Sequence, residues 1–142
     1  MFRICALSFL VLTTTMAPVW AEDHIVNMLN RGDDGIMVFE PGLLVIQPGD
    51  TVRFVAADRG HNAETIDGMI PEGARGFEAR LNEEVLFSPG IDGVYAIKCK
   101  PHYAMGMVMI VAVGDVQTPE EFVGRRVPPR ARKRLEAYLD AL

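Results

Sequence analysis

Apolar positions between residues 24 and 113 fall into short runs, none long enough for a buried helix, and each run ends at a turn signal. Ile25, Val26, Met28 and Leu29 open the series, and Arg31-Gly32-Asp33-Asp34-Gly35 turns the chain. Met37-Val38-Phe39 follows, then Pro41-Gly42 and an apolar run over 43–46. That run enters Gln47-Pro48-Gly49-Asp50, where Pro and Gly suit a tight turn. Thr51-Val52-Arg53-Phe54-Val55 alternates, the period of a strand with one buried face. Val85-Leu86-Phe87 and the runs at 93–97 and 107–113 complete the series. Short strands at this spacing predict an all-β sandwich. The stretch 60–81 keeps no period and carries Pro71, Gly73 and Gly76, which predicts a loop with one helical turn.

Beyond Gly114 the period becomes helical. Thr118-Pro119-Glu120-Glu121 has the form of a capping box, with Thr118 at N-cap, Pro119 at N1 and Glu121 at N3. Pro128-Pro129 then separates a second helix, on which Ala131, Leu135, Tyr138, Leu139 and Leu142 share one face. At the other end, Arg3, the apolar run 4–11 and Val19-Trp20-Ala21 form a secretory signal peptide with cleavage expected after Ala21. The run is too short for a membrane span, and Thr13-Thr14-Thr15 and Pro18 follow it. The expected organisation is a leader at 1–21, a β domain at 22–114 and a two-helix extension at 115–142 packed on the sandwich.

Composition narrows the function classes. The chain of 142 residues is 49% apolar, enough for one core without disulfides. Arg3 is the sole charge ahead of Glu22, so removing the leader deepens the net charge from −5 to −6. In such an acidic chain the basic cluster Arg130, Arg132, Lys133 and Arg134 reads as a solvated helix face, not a nucleic-acid or membrane surface. Asp33-Asp34-Gly35 lacks the alternating oxygens and distal Glu of a calcium loop and reads as a turn. Cys5 leaves with the leader, so Cys99 becomes the lone thiol. In an oxidising compartment a lone thiol has no internal disulfide partner and needs another role.

The stretch Cys99-Lys100-Pro101-His102-Tyr103-Ala104-Met105-Gly106-Met107 supplies that role. Cys-x-x-His brings a thiolate and an imidazole to one ion across a single turn, and a Met thioether follows on the return to the next strand. Of the other histidines, His61 follows the turn Asp58-Arg59-Gly60 at the end of a core strand, whereas His24 lies near the new N-terminus. His61 is therefore the expected fourth ligand. Two His, one Cys and a weak axial Met make the ligand set of blue-copper electron-transfer sites. Zinc competes for Cys and His, but structural zinc sites rarely use Met and usually take more than one Cys. Met105, Met107 and Met109 alternate, so spacing alone also fits a strand with a Met-lined core face.

Together with Gly60-His61-Asn62, this stretch resembles the cupredoxin family and, within it, the pseudoazurin group. The resemblance spans nearly all of the mature chain: N-M-L-N-R-G, M-V-F-E-P-G, P-G-D-T-V, M-I-P-E-G and the tail after V-A-V-G-D. The tail sets it apart from plastocyanin and amicyanin. The resemblance implies a cupredoxin-like Greek-key sandwich of about eight strands with two short C-terminal helices. It implies one copper ion per chain, cycling between Cu(I) and Cu(II), on His61, Cys99, His102 and Met107, with Met107 and not Met105 axial. His61 is then the buried ligand, His102 the solvent-facing exit for the electron, and Asn62 a brace whose backbone N–H points at the Cys99 sulfur. Met105 belongs to a docking patch and Met109 to the core.

The expected function is one-electron transfer in the periplasm; the resemblance implies delivery to a reductase such as copper nitrite reductase, with a c-type cytochrome or another periplasmic protein as a further redox partner. The alternative is a periplasmic copper carrier or chaperone. No acid–base pair or oriented nucleophile accompanies the ligands, and three His cannot build the extra centres of a copper oxidase or reductase. An enzyme is not expected. Docking is expected to be transient, near His102, by a monomer. The resemblance implies a ring of lysines around the exposed His, and this chain departs from it: Arg31, Arg59, Lys98 and Lys100 can supply part of a basic ring, which Glu78 and the net negative charge dilute.

Overall fold

The computed structural model describes residues 20–142; the expected leader lies outside the described residues except for Trp20 and Ala21. Among the described residues, eight strands form two four-stranded sheets, and one α-helix follows them. β1 (Asp23–Gly32) and β2 (Gly35–Glu40) are joined by the predicted Gly-rich turn. β3 (Leu43–Ile46), β4 (Thr51–Val55), β5 (Glu64–Thr65), β6 (Val85–Phe87), β7 (Gly93–Lys98) and β8 (Val108–Val113) complete the sandwich. One sheet runs β2-β1-β4-β6 and the other β3-β8-β7-β5, with parallel pairing of β1 to β4 and of β3 to β8.

Alternation sets the inner faces. Val26 and Met28 of β1, with Val52 and Phe54 of β4, point into a core that also takes Phe39, Tyr95, Ile97, Met109, Val111 and Val113. Cys99 and Met107 both belong to this core, and the Cys99 N–H donates to Met107 O at 3.0 Å, which holds the two residues side by side. β8 is apolar throughout because both its faces are covered. Val108 and Ile110 turn outward under Ala131, Leu135 and Leu139 of α1 (Pro129–Leu139).

The expected loop at 60–81 contains the two-residue strand β5 and turns, with no helical turn. The expected pair of C-terminal helices is a single helix. Glu121 sits at φ +51°, outside helical space, and the Thr118 hydroxyl donates to Leu139 O at 3.2 Å instead of capping its own turn. Arg132 draws on the carbonyls of Val123 and Gly124, at 3.4 and 2.6 Å. A segment this short does not nucleate a helix alone, and these contacts spread it over α1 instead.

Candidate metal centre

The donors of the predicted site come from two loops at one end of the sandwich. After β4 the chain turns at Gly60 (φ +96°) into His61. Asn82 grips this turn from both sides: its side-chain oxygen accepts from Gly60 N at 2.6 Å, and its backbone N–H donates to His61 O at 2.7 Å. The second loop leaves β7 at Cys99, forms a 3-10 stretch over Lys100–Met105 and re-enters β8 through Gly106 at φ +92°. Backbone bonds close it: Cys99 N to Met107 O at 3.0 Å, His102 N to Cys99 O at 3.2 Å, and Met107 N to His102 O at 3.2 Å.

Asn62 ties the loops together. Its side-chain oxygen accepts from Lys100 N at 2.7 Å, while its amide donates to Glu64 Oε2 at 3.0 Å and to Ala79 O at 3.1 Å. The backbone N–H groups of Asn62 and His102 both act on the Cys99 sulfur. The predicted Asn62 brace thus has a side-chain component that the sequence did not reveal.

The donor atoms converge. His61 Nδ1 and His102 Nδ1 are 3.1 Å apart, and Cys99 Sγ lies 3.7 Å from the first and 3.6 Å from the second. The point equidistant from three atoms so spaced lies about 2 Å from each, the length of a metal–imidazole bond. Among the described residues this is the only group of three or more His, Cys, Asp or Glu side chains arranged to hold a metal ion. His61 and Cys99 are fully buried, whereas His102 is half-exposed. Met107 is fully buried in the same cluster as Cys99, Met109 lies in the core as predicted, and Met105 is half-exposed. His24 stands apart, paired with Asp50 at 2.9 Å.

Electrostatics prepare these groups for a cation. Burial, and then the neighbouring His102, push the His61 pKa down against an opposing pull from Asp58, so the ring is neutral and its lone pair is available. Nε2 of His61 faces the side-chain oxygen of Asn30 at 3.0 Å, which places the ring proton there and leaves Nδ1 for a metal. Burial pushes the Cys99 thiol up, although the Asn62 and His102 amides favour its anion. A metal entering here must therefore displace a proton. One soft thiolate between two imidazoles, with a buried thioether in the same cluster, is a donor set that suits copper.

The cationic residues divide. Lys98 pairs with Glu64 at 3.2 Å and lies 5.1 Å from the centre of the Tyr103 ring, and Lys100 pairs with Glu78 at 2.9 Å. Arg31 and Arg59 are exposed, and no carboxylate pairs with either among the described residues.

Residues 26–114 match the copper binding proteins of the plastocyanin/azurin family. The chain is 42% identical over 126 residues to a pseudoazurin of Paracoccus pantotrophus, covering 87% of this chain and 86% of that protein. Its fold matches a pseudoazurin from Sinorhizobium meliloti with a TM-score of 0.79 at 39% identity, covering 83% of this chain and 94% of the other. A pseudoazurin from Methylobacterium extorquens AM1 matches with a TM-score of 0.76 at 38% identity, covering 84% and 98%.

Proposed function

Because the chain belongs to the plastocyanin/azurin family of copper-binding proteins, among its pseudoazurins, and is a copper electron carrier, we propose that it works in the periplasm on His61, Cys99, His102 and Met107. Copper supplies a centre that accepts and releases one electron. Everything else is the work of the chain. Cys99, His61 and His102 would hold the ion, and the Met107 thioether would serve as a weaker fourth donor. The observation that carries this reading is the convergence of the two Nδ1 atoms and the Cys99 sulfur within 3.7 Å of one another.

Asn30 and Asn82 orient His61 from either end, so the site keeps one shape through a redox cycle. Burial of His61 and Cys99 keeps water off the inner side. His102 alone among the three reaches the surface, and it is the door for the electron. Arg31 and Arg59, with no carboxylate partner among the described residues, are the better candidates for steering an acidic partner, since Lys98 and Lys100 are already paired with Glu64 and Glu78. The physiological acceptor in this reading is a periplasmic reductase such as copper nitrite reductase, with a c-type cytochrome as a further partner, met by a monomer in brief encounters. Residues 1–21 are the leader removed on export, 22–114 the copper domain and 115–142 its extension.

Addition of Cu(II) to the apoprotein tests the site. The expected result is an intense thiolate-to-copper colour that ascorbate bleaches and ferricyanide restores, and that Cys99→Ser abolishes. A colourless or rapidly exchanging complex would replace this reading with that of a copper carrier.

A further inference from the structure

Arg134 lies on α1, half-buried, and one of its nitrogens serves two backbone carbonyls at once. Nη1 donates to Gly106 O at 2.5 Å and to Met37 O at 2.9 Å, and Nη2 reaches Asp34 O at 3.5 Å. No carboxylate pairs with this guanidinium among the described residues. Its hydrogens go to main chain, and to two segments 69 residues apart in sequence.

One segment is part of the loop that carries donors of the metal centre, and the other lies opposite Asn30, whose side chain faces His61. Gly106 stands between His102 and Met107, and the Arg130 backbone comes within 3.3 Å of where a Cβ on Gly106 would lie. The helix thus presses directly on the turn that returns the loop to β8. Met37, in β2, has φ +50°, a strained value for a residue with a side chain. Around it the β1–β2 ladder pairs Leu29 with Val38 and Arg31 with Ile36 but omits Asn30 with Met37. The Asn30 amide turns away to Asp58 Oδ2 at 2.7 Å, and the Met37 carbonyl is taken by Arg134. The interrupted pair contains the same Asn30 whose side chain faces His61 Nε2.

We propose that Arg134 is a positioning residue of the metal centre, clamping the loop that carries His102 and Met107 to the strand kink opposite Asn30, which orients His61. The guanidinium suits this work because its planar fork is set in direction before the bonds form. On this view α1 is a structural part of the metal centre and not an appendage to the sandwich. The proposal takes the ligand assignment above as its premise for the copper-loaded measurement; the apoprotein measurement does not need it.

The test compares wild type, Arg134→Gln and Arg134→Lys. In the apoprotein, amide hydrogen exchange is followed at Cys99 and Met107 and across the β7–β8 ladder. Arg134→Gln should speed exchange at the two loop amides about ten-fold, the effect of losing one hydrogen bond to a charged donor, and leave the ladder unchanged. Arg134→Lys should fall between. In the copper-loaded protein, the intensity ratio of the thiolate-to-copper bands should change in Arg134→Gln and be partly restored in Arg134→Lys. Loop amides and band ratio matching wild type would overturn the proposal. So would acceleration of all amides together, which would make Arg134 a general stabiliser. A wild-type protein without a thiolate-to-copper band would refute the ligand assignment alone, and the exchange measurement would still decide the role of Arg134.

Discussion

Nε2 of His61 donates to the side-chain oxygen of Asn30 across 3.0 Å, so a residue on β1 decides which nitrogen of a buried imidazole is free. Removing that acceptor leaves His61 free to rotate or to change tautomer. Asn30→Ala is expected to weaken copper binding about 10- to 100-fold, the usual cost of losing such an outer partner. Competition against a chelator of known affinity measures this. Because His61 is fully buried, losing its partner should also cost the apoprotein about 1–3 kcal/mol, which chemical denaturation measures alongside.

Met107 and Met105 are separated by one substitution each. Met107→Leu keeps the volume of a fully buried side chain, so the apoprotein should lose less than about 1.5 kcal/mol. Loss of a thioether donor disfavours Cu(II) more than Cu(I), so the reduction potential should rise. Met105→Leu, at a half-exposed position, should leave the potential near wild type. Voltammetry of both variants decides the axial ligand.

The acid limb of stability should report Asp50. Its carboxylate accepts from Glu22 N, the His24 ring and Gln47 N, each at 2.9 Å, and these bonds hold its pKa at about 2. A folded value below the ordinary 3.8 means that its stabilisation is complete above that pH and is lost as pH falls toward 2. Urea titrations should show Asp50→Asn less stable than wild type at neutral pH, with the difference shrinking through this window.

Leu135 tests how firmly the tail belongs to the domain. It is fully buried in the cluster that joins α1 to the outer face of β8. Leu135→Ala should cost about 2–5 kcal/mol in chemical denaturation. A single cooperative transition should remain, since the helix and the sheet share that cluster.

Charge reversal should sort the docking cations. Arg31→Glu and Arg59→Glu are expected to slow electron transfer to a copper nitrite reductase about ten-fold at low salt, a magnitude within the range of electrostatic steering. Lys98→Glu and Lys100→Glu should do less, because Glu64 and Glu78 already offset those charges. Stopped-flow rates should converge near 1 M salt, where screening reaches about 3 Å.

The features legible in the sequence were those carried by local period and spacing. Seven of the strands announce themselves through alternation or apolar runs, and Cys99-x-x-His102 marks a metal loop unaided. β5 was missed because Glu64-Thr65 has no apolar residue to give it a period; it exists through pairing with Lys98 and Ile97. Thr118 looked like a helix cap because its nearest neighbours fit one, while its actual partner, Leu139, is 21 residues away. The supporting residues were hidden for the same reason. Asn30 lies 31 residues from His61, Asn82 lies 22 from Gly60, and Arg134 lies 28 from Gly106. Polar side chains at such separations leave no trace in a periodic pattern.

Complete burial of Cys99 bears on how the protein survives handling as well as on how it works. Thiol–disulfide exchange requires a thiolate to approach another sulfur directly. With no surface at Cys99, two folded chains cannot bring their sulfurs together, and small oxidants meet a protonated thiol behind protein. The metal-free protein should therefore stay a monomer with its thiol reduced through purification in air, and covalent dimers on a non-reducing gel would mark the fraction that has unfolded.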